Sequence, residues 1–92
     1  MSDISDDTRP KVTMYSAVWC AFCKTEKQYL DSLGIDYVVR DIEADDGAME
    51  ELQAKVNGAS GIPVTDIDGE IIRGFDRAKI DATLKAKGLL AA

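Results

Sequence analysis

The chain has 92 residues, enough for one small domain with a single core. Its net charge of −6 argues against nucleic acid or an anionic membrane as the main partner. Its two cysteines are too few for a disulfide scaffold, and no apolar run is long enough to span a membrane. We expect a monomer.

The first ten residues are polar and acidic, and we expect a flexible tail over residues 1–10 ahead of a domain over residues 11–92. The composition of this tail is the opposite of a signal peptide. We therefore expect a cytoplasmic protein, because lasting structural disulfides are uncommon in that compartment and catalytic ones are the usual kind.

Strand and helix patterns alternate in the first part of the domain. Apolar residues predict a strand over residues 11–16, a helix over residues 21–33 and a second strand over residues 36–42. A helix between two such strands indicates a β-α-β unit with a parallel strand pair.

A second helix pattern follows this unit. Asp45 is its predicted N-cap, and the pattern ends near residue 57 at an Asn-Gly pair. Met49, Leu52 and Val56 recur at helical spacing, so we predict that they lie on its buried face.

The last part of the chain predicts a hairpin and a third helix. Asp68-Gly69 separates two short apolar runs, which is a strong hairpin pattern with a type I′ turn. Asp76 is the predicted N-cap of a helix whose Ile80 and Leu84 face the core. The order β-α-β-α-β-β-α indicates an α/β domain whose mixed sheet has helices on its faces.

Cys20 and Cys23 stand at the junction of the first strand and the first helix. A Cys-x-x-Cys in this position is typical of a redox pair. If Cys20 precedes the first helical turn, its sulfur faces unpaired backbone N–H groups and the positive end of the helix dipole. Both favour the thiolate, so we predict a pKa for Cys20 below that of a free cysteine. Lys24 and Lys27 add positive charge nearby.

Two other interpretations of the cysteine pair are open. The first is a structural disulfide or a pair of inert thiols, although a disulfide across so short a loop stabilises little by the loop-entropy model. The second is a metal site. A closed zinc site needs four Cys or His ligands, whereas the chain has two cysteines and no histidine, so only a dimer could complete it. We favour the redox interpretation and predict no metal site.

Four motifs in the same order resemble the glutaredoxin-like group of small redoxins, which includes glutaredoxins, NrdH-redoxins and mycoredoxins. The motifs lie at residues 14–24, 37–42, 61–64 and 67–76. The resemblance covers roughly residues 12–89. It implies a thioredoxin (glutaredoxin-like) fold, with a four-stranded mixed sheet of order 2-1-3-4 and three helices.

The same resemblance implies dithiol–disulfide exchange, with Cys20 as the attacking nucleophile and Cys23 as the resolving thiol. It also implies a cis peptide bond before Pro63, against the alternative of a trans proline at a sheet edge. A cis turn would leave the backbone of Ile62 free to pair with an extended substrate. Ile62 and Pro63 are therefore predicted binding residues.

Further side chains are predicted to contact the substrate or the thiol. Trp19 is either a docking lip or a packing residue, and Phe22 lies either on an exposed lip or tucked in. Lys24 is a predicted electrostatic tuner. Gly74 serves close backbone approach or an unusual φ angle. The N-terminus of the third helix could bind a carboxylate. Gly74, Phe75 and Asp76, which lie there, complete the predicted substrate- or thiol-binding residues.

Two positions depart from the glutaredoxin pattern. Many glutaredoxins have, at the position of Ala17, a Lys that meets a glutathione carboxylate, and they often have an acid where this chain has Arg77. We therefore predict a loosened glutathione site. A thioredoxin-reductase-type enzyme or another low-molecular-weight thiol is at least as good a candidate reductant as glutathione.

We thus predict a thiol–disulfide oxidoreductase that reduces protein or mixed disulfides. It needs no tightly bound cofactor, with glutathione or another low-molecular-weight thiol as a possible co-substrate. The expected partners are disulfide-containing proteins and either such a thiol or thioredoxin reductase. The alternatives are a non-catalytic binding module and an iron–sulfur-cluster-binding glutaredoxin-like protein, whose cluster Cys20 and glutathione would hold.

Overall fold

The computed structural model describes residues 11–58 and 61–90, so the tail predicted over residues 1–10 lies outside the described residues. The strands are β1 (Val12–Ser16), β2 (Val38–Asp41), β3 (Val64–Ile67) and β4 (Glu70–Arg73). The helices are α1 (Ala21–Ser32), α2 (Ala48–Val56) and α3 (Arg77–Ala86). None of the described helices combines the length and the apolar character needed to cross a membrane.

The four strands form one sheet in the order β2-β1-β3-β4, which confirms the predicted topology. β1 and β2 are parallel, as a β-α-β unit requires, whereas β3 is antiparallel to both β1 and β4. The strand β1 therefore lies inside the sheet, and the loop that follows it opens at the same end as the loop that follows β2.

The two faces of the sheet carry two separate core clusters, because successive side chains of a strand point to opposite faces. The larger cluster, beneath α1 and α3, consists of Val12, Met14, Cys20, Cys23, Leu30, Ile67, Ile72, Ile80 and Leu84. The smaller cluster, beneath α2, consists of Tyr15, Leu52 and Val64. Both cysteines therefore belong to the larger core cluster.

The β3–β4 hairpin has the turn that the sequence predicts. The backbone φ angles are +50° at Asp68 and +96° at Gly69, and a type I′ turn requires positive φ at both central residues. The Oδ1 atom of Asp66 also accepts a hydrogen bond from the Gly69 N–H at 2.7 Å. Local turn chemistry thus sets the register of the hairpin.

Helix α2 begins later than predicted. Its N-cap is Gly47, which has a φ of +78° and makes no side-chain capping bond. The prediction of Asp45 as the N-cap is therefore wrong. The Oδ2 atom of Asp45 instead accepts a hydrogen bond from the backbone N–H of Asp41 at 2.8 Å, inside the turn that follows β2.

The buried face of α2 also differs from the prediction at one residue. Met49 is 40% exposed, while Ala48 and Leu52 are buried. Because the helix begins at Ala48, the sheet-facing side runs through the positions four apart, Ala48 and Leu52, and Met49 lies at its edge. The prediction that Met49 is buried is wrong.

A polar network fastens α2 to the sheet. The Lys55 ammonium lies 2.7 Å from an Asp66 carboxylate oxygen on β3 and donates to the Tyr15 hydroxyl at 2.7 Å. That hydroxyl donates to Glu51 Oε1 at 3.0 Å, and Glu51 Oε2 accepts from Arg40 at 2.6 Å. Burial, first among several causes, raises the pKa of Tyr15. The network therefore connects three strands with one helix.

Candidate active site

The two cysteines lie where the chain leaves β1 and enters α1. Cys20 is the N-cap of α1, with an extended backbone, and its Sγ accepts a hydrogen bond from the Cys23 N–H at 3.1 Å. A disulfide joins Cys20 to Cys23, with 5.2 Å between their Cα atoms. The sequence predicted this placement, which sets the Cys20 sulfur at the positive end of the helix dipole.

The charge around this helix end also suits an anionic sulfur. The first turn of α1 contains no acidic residue, so nothing there opposes the helix dipole. Lys24 lies in that turn, is exposed, and donates its backbone N–H to the Cys20 carbonyl at 3.3 Å. The local field therefore favours a thiolate at Cys20 once the disulfide is reduced.

The two cysteines differ in exposure. Cys20 keeps 6% of its surface exposed, whereas Cys23 has none exposed. An incoming thiol or disulfide therefore meets Cys20 first. This difference supports the predicted division between an attacking and a resolving cysteine.

Two aromatic side chains flank the pair on the surface. Trp19 is 64% exposed and Phe22 is 68% exposed, so the alternatives in which either is packed inside are wrong. The Trp19 indole N–H donates to Glu43 Oε2 at 3.0 Å, which holds the ring toward the loop after β2. Contact of these rings with a substrate stays a prediction.

The loop before β3 completes the site. The Ile62-Pro63 peptide bond is cis, as the resemblance implied, and Pro63 is buried. Ile62 packs against both core clusters, one of which contains Cys20 and Cys23. The Pro63 carbonyl accepts a hydrogen bond from the Gly74 N–H at 2.8 Å. Gly74 has a φ of +83°, which confirms the unusual backbone conformation predicted there.

The residues at the start of α3 are largely engaged within the protein. Asp76 Oδ1 caps α3 by accepting from the Lys79 N–H at 3.1 Å, which confirms the predicted N-cap. Phe75 packs edge-on against Tyr29, with 5.9 Å between the ring centroids. The Arg77 guanidinium lies 4.7 Å from the centroid of the same Tyr29 ring. Both charged groups at this helix end therefore have partners on the protein itself.

A predominantly apolar cleft of about 300 Å³ opens at Trp19, the residue before Cys20, between α2 and the loop that contains Ile62. It is lined by Trp19, Ile42, Met49, Leu52, Gln53, Gly61 and Ile62. Sequence reasoning identified Trp19 and Ile62 as binding residues but missed the contributions of Ile42, which directly follows β2, and of α2. The exposed position of Met49 is explained by this cleft, whose wall it forms.

Sequence reasoning also missed a buried acid on α1. Glu26 is fully buried, and its Oε2 accepts a hydrogen bond from the Thr65 hydroxyl on β3. Burial, the larger cause, raises the pKa of Glu26, and the Thr65 hydrogen bond acts in the opposite direction. The sequence does contain a pattern that predicts this burial. Cys23, Glu26 and Leu30 recur at helical spacing, which places a carboxyl on the apolar face of α1.

Three features together define a redoxin of the thioredoxin fold. The four-stranded sheet has the order 2-1-3-4, a Cys-x-x-Cys lies at the N-terminus of the first helix, and a cis proline precedes the third strand. The glutaredoxin family model matches residues 12–72 of the chain. The chain therefore belongs to the glutaredoxin family.

One similar protein agrees with this assignment, and two solved structures share the fold. The chain is 40% identical over 74 residues to an uncharacterized glutaredoxin-like 8.6 kDa protein in the rubredoxin operon of Clostridium pasteurianum, covering 80% of this chain and 97% of that one. The crystal structure of the thioredoxin-like protein BC3987 is 27% identical, with a TM-score of 0.74 and coverage of 80% and 100%. The glutaredoxin-like NrdH-redoxin of Escherichia coli is 24% identical, with a TM-score of 0.68 and coverage of 77% and 91%.

Proposed function

We propose that this protein is a dithiol oxidoreductase that reduces disulfides in other proteins. The Cys20 thiolate attacks a substrate sulfur, which forms a mixed disulfide and releases one substrate thiol. Cys23 then attacks Cys20, releases the second substrate thiol and leaves the Cys20–Cys23 disulfide. An external reductant returns the pair to the dithiol. Such a cycle suits the cytoplasm, where catalytic disulfides are the usual kind.

The observation that carries this proposal is the position of Cys20 as the N-cap of α1. Its Sγ already accepts the Cys23 amide N–H at 3.1 Å, and the same donor would stabilise the thiolate in the reduced protein. Cys20 is also the more exposed residue of the pair. A purely structural disulfide would need neither feature.

The groups available for glutathione favour a different reductant. Glutathione carries two carboxylates and an ammonium, which charged partners hold best when they are free to orient. Ala17 is buried and offers no charge, Asp76 caps α3, and Arg77 lies over the Tyr29 ring. We infer that a thioredoxin-reductase-type enzyme recycles the protein at least as well as glutathione. A thioredoxin-like activity profile is described for the NrdH-redoxin of Escherichia coli.

The apolar cleft supports a protein as the substrate. Its lining includes Trp19, the residue before Cys20, and Ile62, which packs against the core cluster that contains both cysteines. Met49 and Leu52 of α2 also line it. A complex in which an apolar side chain of a partner covers this surface is stabilised, because apolar area on both sides is removed from water. We infer that the cleft accepts an apolar residue near the substrate cysteine.

The reductant is tested by measuring kcat/KM with glutathione, another low-molecular-weight thiol and a thioredoxin reductase, all with one common protein disulfide. We expect the reductase to match or exceed glutathione. A large preference for glutathione that falls when Arg77 is replaced would contradict the inference. Absence of turnover with every reductant would favour a binding module, and a coloured protein as purified would favour a cluster carrier.

The cleft is tested with a pair of matched substitutions. Met49 and Val38 are both exposed apolar residues, at 40% and 39%, but only Met49 is among the residues that line the cleft. We expect Met49→Lys to lower kcat/KM for a protein disulfide about tenfold, equivalent to about 1.4 kcal/mol. The control Val38→Lys should change it little. Equal effects of the two variants, or an equal loss with a small aliphatic disulfide, would reject the cleft as a protein-binding site.

A further inference from the structure

The buried carboxyl of Glu26 has no task in the cycle described above. Glu26 is fully buried on the side of α1 that also carries Cys23 and Leu30, and its Oε1 has no hydrogen-bond partner within residues 11–58 and 61–90. Only its other oxygen is matched, by the Thr65 hydroxyl. A buried polar group that lacks one of its hydrogen-bond partners destabilises the folded protein. The presence of Glu26 at this position therefore calls for a reason other than stability.

The position of Glu26 relative to Cys23 supplies such a reason. The two residues are three positions apart on α1, and both are fully buried. Residues at this spacing are neighbours on one helix face, with Cβ atoms about 5–6 Å apart. The longer glutamate side chain can span that distance directly or through one water. The Thr65 hydroxyl fixes one of its oxygens, and the other remains for a second partner.

Resting on the function proposed above, we propose that Glu26 is the proton-exchange partner of Cys23. The buried Cys23 thiol passes its proton to the Glu26 carboxylate. The resulting Cys23 thiolate attacks the Cys20 sulfur of the mixed disulfide, the new sulfur–sulfur bond forms, and the substrate leaves as a thiolate. The cysteine pair loses two electrons and the substrate disulfide gains them. When a reductant opens the Cys20–Cys23 disulfide, Cys23 leaves as a thiolate and takes the proton back from Glu26.

The electrostatic surroundings of Glu26 suit this exchange. A buried thiol ionises with difficulty, because burial disfavours its charged form. Burial also raises the pKa of Glu26, toward that of a thiol, which makes proton transfer between them less uphill. The groups that act on the carboxyl are the Thr65 hydroxyl from β3 and the apolar surroundings. No charged residue is among the causes of the shift.

The test separates the two thiol steps with dithiobis(nitrobenzoate), which releases one coloured thiolate when Cys20 attacks it and a second when Cys23 resolves the mixed disulfide. In Glu26→Gln we expect the first release to keep its rate. The second should slow about a hundredfold at neutral pH, the low end of general acid–base effects. The control Glu50→Gln, at an exposed position of α2, should leave both releases unchanged. An unchanged second release in Glu26→Gln, or an equal loss in both releases, would overturn the proposal.

A second variant keeps the carboxyl and changes only its partner. Because the Thr65 hydrogen bond lowers the pKa of Glu26, Thr65→Val should move the pH profile of the second release to higher pH, without abolishing that release. A profile that does not move would count against proton exchange, even if Glu26→Gln folds poorly. Failure of the proposed function is a separate outcome, since it would appear as no turnover of protein disulfides while both coloured releases persist.

Discussion

The buried Glu26–Thr65 pair should lower the stability of the folded protein at neutral pH. In the double variant Glu26→Leu/Thr65→Val, the carboxyl and its hydroxyl partner are both replaced by apolar groups of similar size. One Glu26 oxygen has no hydrogen-bond partner among the described residues, and an unmatched buried polar group costs about 1–3 kcal/mol. We therefore expect the double variant to be more stable than the wild type by about that amount. In a domain of this size, the melting temperature should rise by about 4–8 °C for each kcal/mol.

The gain should depend on pH in a defined direction. The pKa of Glu26 is raised in the folded protein above its reference value of 4.5. At a pH between the reference value and the raised pKa of the folded state, Glu26 holds a proton in the folded protein but not in the unfolded chain. Wild-type stability therefore falls as pH rises through this window. Below the reference value both states are protonated and the electrostatic part of the difference disappears. The stability advantage of the double variant should thus be largest at about pH 8 and smaller at about pH 4.

Urea unfolding followed by far-ultraviolet circular dichroism, with the disulfide kept oxidised throughout, measures these differences. The single variant Thr65→Val should lose stability at high pH, because it leaves both Glu26 oxygens unmatched. Glu50→Gln, at an exposed position, should stay within about 0.5 kcal/mol of the wild type. A double variant less stable than the wild type at about pH 8, or a gain independent of pH, would refute the assignment of Glu26 as a destabilising buried acid.

Three further predictions follow from the site and the fold. Cys20→Ser should abolish disulfide exchange, whereas Cys23→Ser should accumulate mixed disulfides through Cys20. Mass spectrometry identifies the trapped cysteine, and a mixed disulfide on Cys23 in the Cys20→Ser variant would contradict the assigned roles. Thiolate absorbance of Cys23→Ser against pH should give a pKa for Cys20 below about 8.5, and a value at or above it would remove the helix-end explanation. Asp76→Ala should lower the free energy of unfolding by about 1 kcal/mol through loss of the α3 cap, and an unchanged urea midpoint would contradict the capping bond to Lys79.

Much of the architecture follows from short stretches of sequence. The β3–β4 turn depends on Asp68 and Gly69, and the start of α3 depends on Asp76. The placement of Cys20 depends on where β1 ends and α1 begins. Each of these rests on backbone preferences and hydrogen bonds within a few residues, which is why sequence reasoning could locate them. The cis bond before Pro63 came from resemblance, since residue preference alone favours the trans form.

Other features depend on which elements meet in space. The turn after β2 uses Asp45 for its own hydrogen bonds, so α2 starts at Ala48, and Met49 becomes the wall of a cleft. A strong local N-cap preference was overridden by the geometry of the connection between β2 and α2. No pattern within the helix alone could distinguish these outcomes.

By itself, the sequence determined the order of the elements, the redox pair and its place at a helix N-terminus, because these depend on spacing and on preferences of neighbouring residues. Only the tertiary structure decided that Cys23 is the inaccessible sulfur, that the cleft is apolar, and that Glu26 meets Thr65 across 39 positions of chain. The physical reason is that burial, and with it the protonation of a carboxyl or thiol, is set by side chains brought from distant elements.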